Sequence, residues 1–403
     1  MVKLDAYFEI QDRLMDSVTT KFKRYLYSKI DWKARMIGLT GYRGVGKTTL
    51  LLQKLAEMDV SNLEYLYISA DNPLVLNDGI YNIGDTFFKH GGKLLVVDES
   101  HRYPGWSLEL KALYDSFPNK KIIFTGSSST EIIKGKADLS RRALIYNLNI
   151  LSLREYIQIK TAEIFEPVNL DELLKSHTRI AKLLIHYEPL KLFSQYLKEG
   201  AYPYFIEGNY YNRLLSTLDK IIYDDILGVS DIKPEGAATI KRLIAFLATS
   251  KVPRLSPEKL CRSLNITKPT LYNYLDLMEK VLLINRIPPE KIGHKYLRSG
   301  AKVFLNNPNI YYALNQPAWS LGTNLETIRE SFFVSQLVQQ TITAPDAGDF
   351  AIRKNGQFIV FEIGGKTKGT KQIKDIENAY VLNDDIETGR GRNIPLYLIG
   401  LLY

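Results

Sequence analysis

The sequence predicts an α/β protein whose first part is a parallel sheet clad in helices, continued by helical and then smaller mixed segments. Three observations carry this expectation. Short apolar runs at Met36–Thr40, Leu63–Ser69, Lys93–Val97 and Lys120–Phe124 alternate with helical stretches, as a parallel sheet with crossover helices requires. The first run opens into a glycine-rich turn, Gly41-Tyr-Arg-Gly-Val-Gly-Lys-Thr48. Beyond about Leu153 the strand signal gives way to long helical stretches, including Leu170–Leu184 and Leu190–Lys198.

In chain order, Phe8, Ile10, Leu14, Val18, Phe22, Tyr25, Leu26 and Ile30 recur at roughly helical spacing and predict an amphipathic lead-in helix over 7–30. Leu50, Leu51, Leu52 and Leu55 predict a helix from Thr48 onward. An all-helical segment is expected to about Leu227, and three short helices with a hairpin over 237–290. The pattern turns mixed again from Lys302, with alternation at Phe350–Ile352 and Phe358–Ile363 and a closing strand at Pro395–Leu401. The expected division is a lead-in helix plus sheet core over 1–155, a helical lid or linker over 156–236, a third module over 237–300 and a small α/β domain over 301–403.

The 403 residues are 45% hydrophobic and 24% charged, which excludes a disordered or fibrous chain. With one cysteine, Cys261, no intramolecular disulfide can form. No apolar run approaches the ~20 residues needed to cross a bilayer, and the opening segment lacks a signal peptide's apolar core and cleavage site. A cytoplasmic protein without membrane contact is expected. The net charge is +9, and Lys241–Lys302 alone holds 13 Lys and Arg against 4 Asp and Glu. The basic excess therefore sits in one segment, which is either a solvated surface or a site for a polyanion.

The turn is a complete G-x-x-x-x-G-K-[ST] pattern. Gly41, Gly44 and Gly46 let the backbone of Tyr42, Arg43 and Val45 wrap so that successive amides can face a phosphate chain. Lys47 supplies charge to the β- and γ-phosphates, the Thr48 hydroxyl is placed to ligate Mg²⁺, and Thr49 continues a helix whose positive end faces the same site. Fifty residues on, Lys93-Leu-Leu-Val-Val-Asp98-Glu99 is an apolar strand ending in two acids. Asp98 is expected to hold Mg²⁺ through water and Glu99 to polarise an attacking water. A third strand, Ile122-Ile-Phe-Thr125, runs into Gly126-Ser-Ser-Ser129. Thr125 or Ser127 is the candidate to touch the γ-phosphate or that water, with helix capping by a serine as the alternative. Asp71 ends another strand and either faces the nucleotide or caps a loop. In Asp138-Leu-Ser-Arg-Arg-Ala143, Arg141 and Arg142 can stabilise transferring phosphoryl charge on their own or a neighbouring subunit, or form a surface ion pair.

Together these residues resemble a large prokaryotic family of P-loop, AAA+-type ATPases in which an AAA domain precedes a domain of unknown function (DUF4143-type) with a degenerate nuclease-like C-terminus. The resemblance rests on Gly41–Thr48 with Arg43, Asp98-Glu99, Thr125–Ser128, Ser140-Arg-Arg142, Leu151–Tyr156 and Tyr196–Pro203. It implies ATP and Mg²⁺ as ligands and a switch-like ATPase with a helical lid, while leaving the partner open.

The basic segment reads as helix, turn, helix and wing, resembling a winged helix. Ser256 and Thr267 are expected to cap the two helices, and Leu260, Leu264, Leu271, Leu275 and Met278 to pack them. Lys268, Thr270, Tyr272 and Asn273 would face a major groove if residues 241–302 bind DNA; a lid or protein-docking module, or self-association, is the alternative. In the tail, Asp349, Glu362 and Lys366, with Glu330 and Gln372 nearby, resemble a restriction-nuclease-like core. There the usual lysine position is Gly364, and Lys366 can replace it only if the strand continues past the double glycine. Three activities follow as expectations: an ATP-driven switch, a nucleotide-tuned DNA-binding regulator, or an ATP-gated nuclease. The five histidines are scattered and predict no zinc site.

Overall fold

The computed structural model describes residues 2–58, 61, 63–127, 139, 141–229, 232, 234–250, 256–290, 301–316, 324–337 and 340–403. The chain forms two compact units. The first comprises Met1–Ile150 together with Asp224–Val229, and the second Leu151–Tyr223 with Ser230–Tyr403. The first unit thus takes in a short segment lying more than seventy residues beyond the end of its main stretch, which a contiguous 1–155 module does not include.

The elements of the first unit are α1 (Asp5–Met15), β1 (Met36–Gly41), α2 (Lys47–Ala56), β2 (Tyr65–Ser69), α3 (Pro73–Asp78), α4 (Ile80–Lys89), β3 (Leu94–Asp98), α5 (Trp106–Ser116), β4 (Lys121–Ser127) and β5 (Leu144–Leu148). All five strands are parallel, in the order β2-β3-β4-β1-β5. The chain leaves β1 for the far edge and returns strand by strand, so β4 separates β1 from β3. Such reversals open a crevice at the carboxyl ends of the strands, where ligands bind in doubly wound sheets. β1 to β4 are buried almost throughout, and Leu66, Ile68, Leu95, Val97, Ile122 and Phe124 pack with Ile83, Phe87, Leu110 and Leu113 of the helices, whereas the edge strand β5 is partly exposed. The expected lead-in helix over 7–30 ends at Met15, and the remaining apolar residues to Ile30 lie in turns that pack without helical periodicity.

The second unit holds α6 (Leu153–Thr161), α7 (Leu170–Leu184), α8 (Pro189–Glu199), α9 (Tyr210–Lys220), α10 (Glu235–Thr249), α11 (Pro257–Leu264), α12 (Lys268–Lys280), β6 (Ile284–Ile287), β7 (Lys302–Leu305), α13 (Pro308–Leu314), α14 (Leu325–Gln336), β8 (Ile342–Thr343), β9 (Phe350–Lys354), β10 (Gln357–Gly364), β11 (Ala379–Asn383) and β12 (Asn393–Pro395). A complete capping box, Ser152 with Glu155, starts α6. Tyr202, Tyr204 and Tyr210 pack ring against ring, with Tyr202 and Tyr210 buried, which makes them core and not an exposed stacking platform. β6 and β7 pair antiparallel. The second sheet runs β12-β11-β10-β9-β8, antiparallel from β8 to β10 and parallel beyond. No described helix is long and apolar enough to cross a membrane.

Candidate functional site

The glycine turn begins where β1 ends. A Cβ on Gly41 would lie 2.3 Å from the Leu148 carbonyl oxygen, so only glycine fits between β1 and β5 there. Gly46 sits at φ 93°, a region costly for other residues, and from it the chain enters α2. The first amides of α2 have no carbonyl partner within the helix and are free for an anion. Arg24, buried, braces the turn by donating to the Val45 carbonyl and to those of Asn149 and Ile150 at 2.7 and 2.9 Å. Nothing in the local pattern around residue 24 signals that bracing.

Lys47 is buried, and its Nζ donates to the Gly41 and Tyr42 carbonyls, each at 3.1 Å. Burial lowers its pKa, opposed by the charges of Glu99 and Asp98, so an anion in the turn would favour the charged form. Thr49, one residue beyond Thr48, is exposed.

Asp98, the last residue of β3, is saturated with donors. Thr48 Oγ1 donates to its Oδ2 at 2.6 Å and the Tyr67 hydroxyl to the same oxygen at 2.7 Å. Thr125 Oγ1 donates to Oδ1, and the Glu99 amide approaches that oxygen at 3.1 Å. Sequence reasoning missed Tyr67; the available signal was a tyrosine inside an otherwise aliphatic strand beside β3. Glu99 has a left-handed backbone, φ 49°, uncommon for a residue other than glycine. Its amide also donates to Thr125 Oγ1 at 3.0 Å. Burial raises the Glu99 carboxyl pKa; Lys47 opposes this and Asp98 adds to it.

Because β4 lies between β1 and β3, its end falls between the turn and the acids. The two candidates there differ. Thr125 is fully occupied with Asp98 and Glu99, whereas the buried Ser127 hydroxyl has no hydrogen-bond partner among the described residues. Ser128 and Ser129 lie outside the described residues. His101 joins the group: its ring is buried, with Nε2 3.6 Å from Glu99 Oε2.

Arg43, inside the turn, grips Asp225 through Nε and Nη2, both at 2.7 Å, and its Nη2 is 3.8 Å from Asp224. Arg102 holds Asp224 at 2.8 Å. These acids come from the 224–229 segment, which no local motif could connect with the turn. The other candidates lie apart from the cluster. Asp71 accepts from Ser69 Oγ at 2.6 Å on the surface. Arg142 forms a two-pronged pair with Asp115, 2.9 Å each, and Arg141 is exposed; Ser140 is outside the described residues.

The residues fit a magnesium nucleotide. Lys47 has only carbonyls to hold, and Ser127 and His101 present buried polar atoms without hydrogen-bond partners. Among the described residues no group of three or more His, Cys, Asp or Glu could hold a metal. Mg²⁺ with a nucleotide needs no such cage, since phosphates and water supply most of its ligands. Thr48 and Asp98 are the residues that would contribute.

In the second unit the acidic residues of the tail are tied to lysines. Lys302 Nζ is 2.9 Å from Glu330 and 3.5 Å from Asp349, whose Oδ2 accepts the Ile363 amide at 2.8 Å. Glu362 pairs with Lys368 at 2.5 Å, and a reoriented Gln372 amide would donate to it at 2.7 Å. The strand does not continue past the double glycine, as Lys366 would require: β10 ends at Gly364, the turn exposes Lys366, and Lys368 pairs with Glu362 instead. Of the two expected caps, Thr267 accepts from the Thr270 amide, while the Ser256 side chain makes no capping bond.

Comparison with known proteins gives a match of residues 33–157 to the model of an AAA domain (AAA_14) and of residues 190–324 to that of a domain of unknown function (DUF8612). An uncharacterized protein of Methanocaldococcus jannaschii is 32% identical over 308 residues, which are 72% of this chain and 63% of that protein. The chain therefore spans less than two thirds of the length of this relative. Low-scoring likenesses include the Saccharomyces cerevisiae Hsp104–ADP complex (17% identity, TM-score 0.26, 70% of this chain and 39% of that one) and AMPPCP-bound DnaA from Aquifex aeolicus (14%, 0.27, 69% and 90%). The AAA-domain match takes in the glycine turn and the Asp98–Glu99 strand end described above.

Proposed function

We propose that the chain is a Mg²⁺-dependent ATPase of the AAA type that switches an unidentified partner through its second unit. The observation that carries the proposal is the convergence of Lys47, Thr48, Asp98 and Glu99 at the carboxyl ends of β1 and β3, with the Ser127 hydroxyl buried among them. In this reading the turn from Gly41 to Thr49 grips the phosphates and Lys47 neutralises charge on the β- and γ-groups. Bound Mg²⁺ would offset the phosphate charge further. Glu99 takes the proton of the attacking water; Asp98 is held in place by four donors; Ser127 contacts the γ-phosphate side. Arg142, paired with Asp115, is left for a neighbouring copy's nucleotide should the chain self-associate.

The test is ATP turnover and nucleotide binding by Lys47→Ala and Glu99→Gln. Lys47→Ala should lose binding, whereas Glu99→Gln should bind and turn over only at a low, still measurable residual rate. Turnover at the parent rate in Lys47→Ala refutes the site.

A second reading, a nucleotide-tuned DNA-binding regulator, draws on one observation. α11 and α12 are followed by the antiparallel pair β6 and β7; Leu260, Leu264, Leu271, Leu275 and Met278 are buried and Lys268 is exposed, though paired with Glu258 at 2.6 Å, which is what a winged helix would need. Residues 251–255 and 291–300 of the basic segment lie outside the described residues. Titration with duplex DNA at several salt concentrations separates the readings, because phosphate contacts produce a steep salt slope. The ATP-gated nuclease draws less support, since each of its acids is held by a lysine or a backbone amide.

A further inference from the structure

The buried ring of His101 has one nitrogen engaged and one not. The Ser127 amide donates to Nδ1 at 3.4 Å, so Nδ1 carries the lone pair and the ring hydrogen resides on Nε2. Nε2 is buried and has no hydrogen-bond partner among the described residues, and the carboxylate oxygen of Glu99 lies 3.6 Å away, just beyond bonding reach. We propose that His101 is the positioning residue for Glu99: its Nε2 hydrogen bonds one carboxylate oxygen and leaves the other aimed at the attacking water.

Several features support this assignment. A buried donor without an acceptor is costly, and a small rotation of either side chain relieves it. Burial first, and then the charges of Arg102, Arg43 and Lys47, push the ring's pKa down to about 3, so it is a neutral donor and not a second positive charge. It is no base at Nε2, where the hydrogen already sits. The ring also joins the end of β4 to the end of β3, so that the position of Ser127 is felt by Glu99 through one imidazole. The inference rests on the Mg-ATP reading of the site, and its test separates the two.

The experiment compares His101→Phe, His101→Gln and His101→Asn with the parent in the full chain, measuring kcat, KM for Mg-ATP and equilibrium binding of a fluorescent ADP analogue. Glu99→Gln and the double variant Glu99→Gln/His101→Phe are included. His101→Phe should lower kcat at least tenfold with nucleotide affinity within threefold of the parent. His101→Gln, whose amide reaches the Nε2 position, should recover most of the loss, and His101→Asn, which reaches only Nδ1, should not. In the Glu99→Gln background the Phe substitution should have no further effect. If His101→Phe does not fold, the gap between Gln and Asn decides. A kcat within twofold of the parent in His101→Phe, equal rates for Gln and Asn, or additive losses in the double variant overturns the proposal. Parent turnover in Lys47→Ala would instead overturn the site itself.

Discussion

Two ion pairs of the first unit share one geometry and differ in burial, which permits a sharp prediction. Arg43 holds Asp225 by two bonds of 2.7 Å, and Arg142 holds Asp115 by two of 2.9 Å. The side chains of the first pair are 16% and 4% exposed, those of the second 27% and 47%. Exposed pairs contribute about 0–1 kcal/mol, whereas removing one partner of a buried pair costs about 3–5 kcal/mol because it strands a charge. Arg43 keeps some contact with water, so Asp225→Ala should cost about 2–4 kcal/mol and Asp115→Ala far less. Double-mutant cycles, Arg43→Ala with Asp225→Ala and Arg142→Ala with Asp115→Ala, isolate each coupling. Urea unfolding followed by fluorescence of Trp32 and Trp106, both in the first unit, is the assay. Coupling in the Arg43 cycle no larger than in the Arg142 cycle would show that burial does not set the strength of these pairs.

Tyr67→Phe keeps the ring and removes one of the donors to Asp98; with about 1.5–3 kcal/mol for a hydrogen bond to a charged group, the first unit should unfold at lower urea, and an unchanged midpoint denies the bond. Gly41→Ala places a methyl 2.3 Å from the Leu148 carbonyl oxygen, so nucleotide affinity should fall at least tenfold in a binding titration; parental affinity means that β1 and β5 can part without consequence. Glu330 has its pKa raised from 4.5 to about 7, by burial first and by Asp349, against Lys302. Between those pH values the folded chain binds more protons than the unfolded one, so this contribution to stability is complete below pH 4.5 and declines as pH rises to about 7, by about 3 kcal/mol. Glu330→Gln should flatten the fall in stability from pH 5 to pH 7, and parallel parent and variant curves exclude Glu330 as the source.

Contiguous chemistry was legible in the sequence. The turn from Gly41 to Thr48 and the Asp98-Glu99 strand end are read from neighbouring residues, and the sheet between them follows from buried strands long enough to show their apolar runs. What stayed hidden depends on tertiary proximity. Arg24 meets the Val45 carbonyl across a loop whose residues looked helical, because turn residues that pack inward imitate a periodic apolar face. Asp225 meets Arg43 across 182 positions. Strand periodicity brings Lys366 to the face of Glu362 only if the strand continues past the double glycine; β10 ends at Gly364, and the following turn delivers Lys368 instead. Thr125 and Ser127 were equivalent by spacing; only the bonds made by their hydroxyls distinguish the one that braces the acids from the one left available.

The unit that carries the glycine turn is written in two separate stretches of the chain, 1–150 and 224–229. No single cut in the gene can lift it out intact: an exchange of sequence at residue 150 would import a guanidinium and leave its counter-ion behind. The turn and the distant acidic dipeptide must therefore be inherited together, and with them whatever lies between.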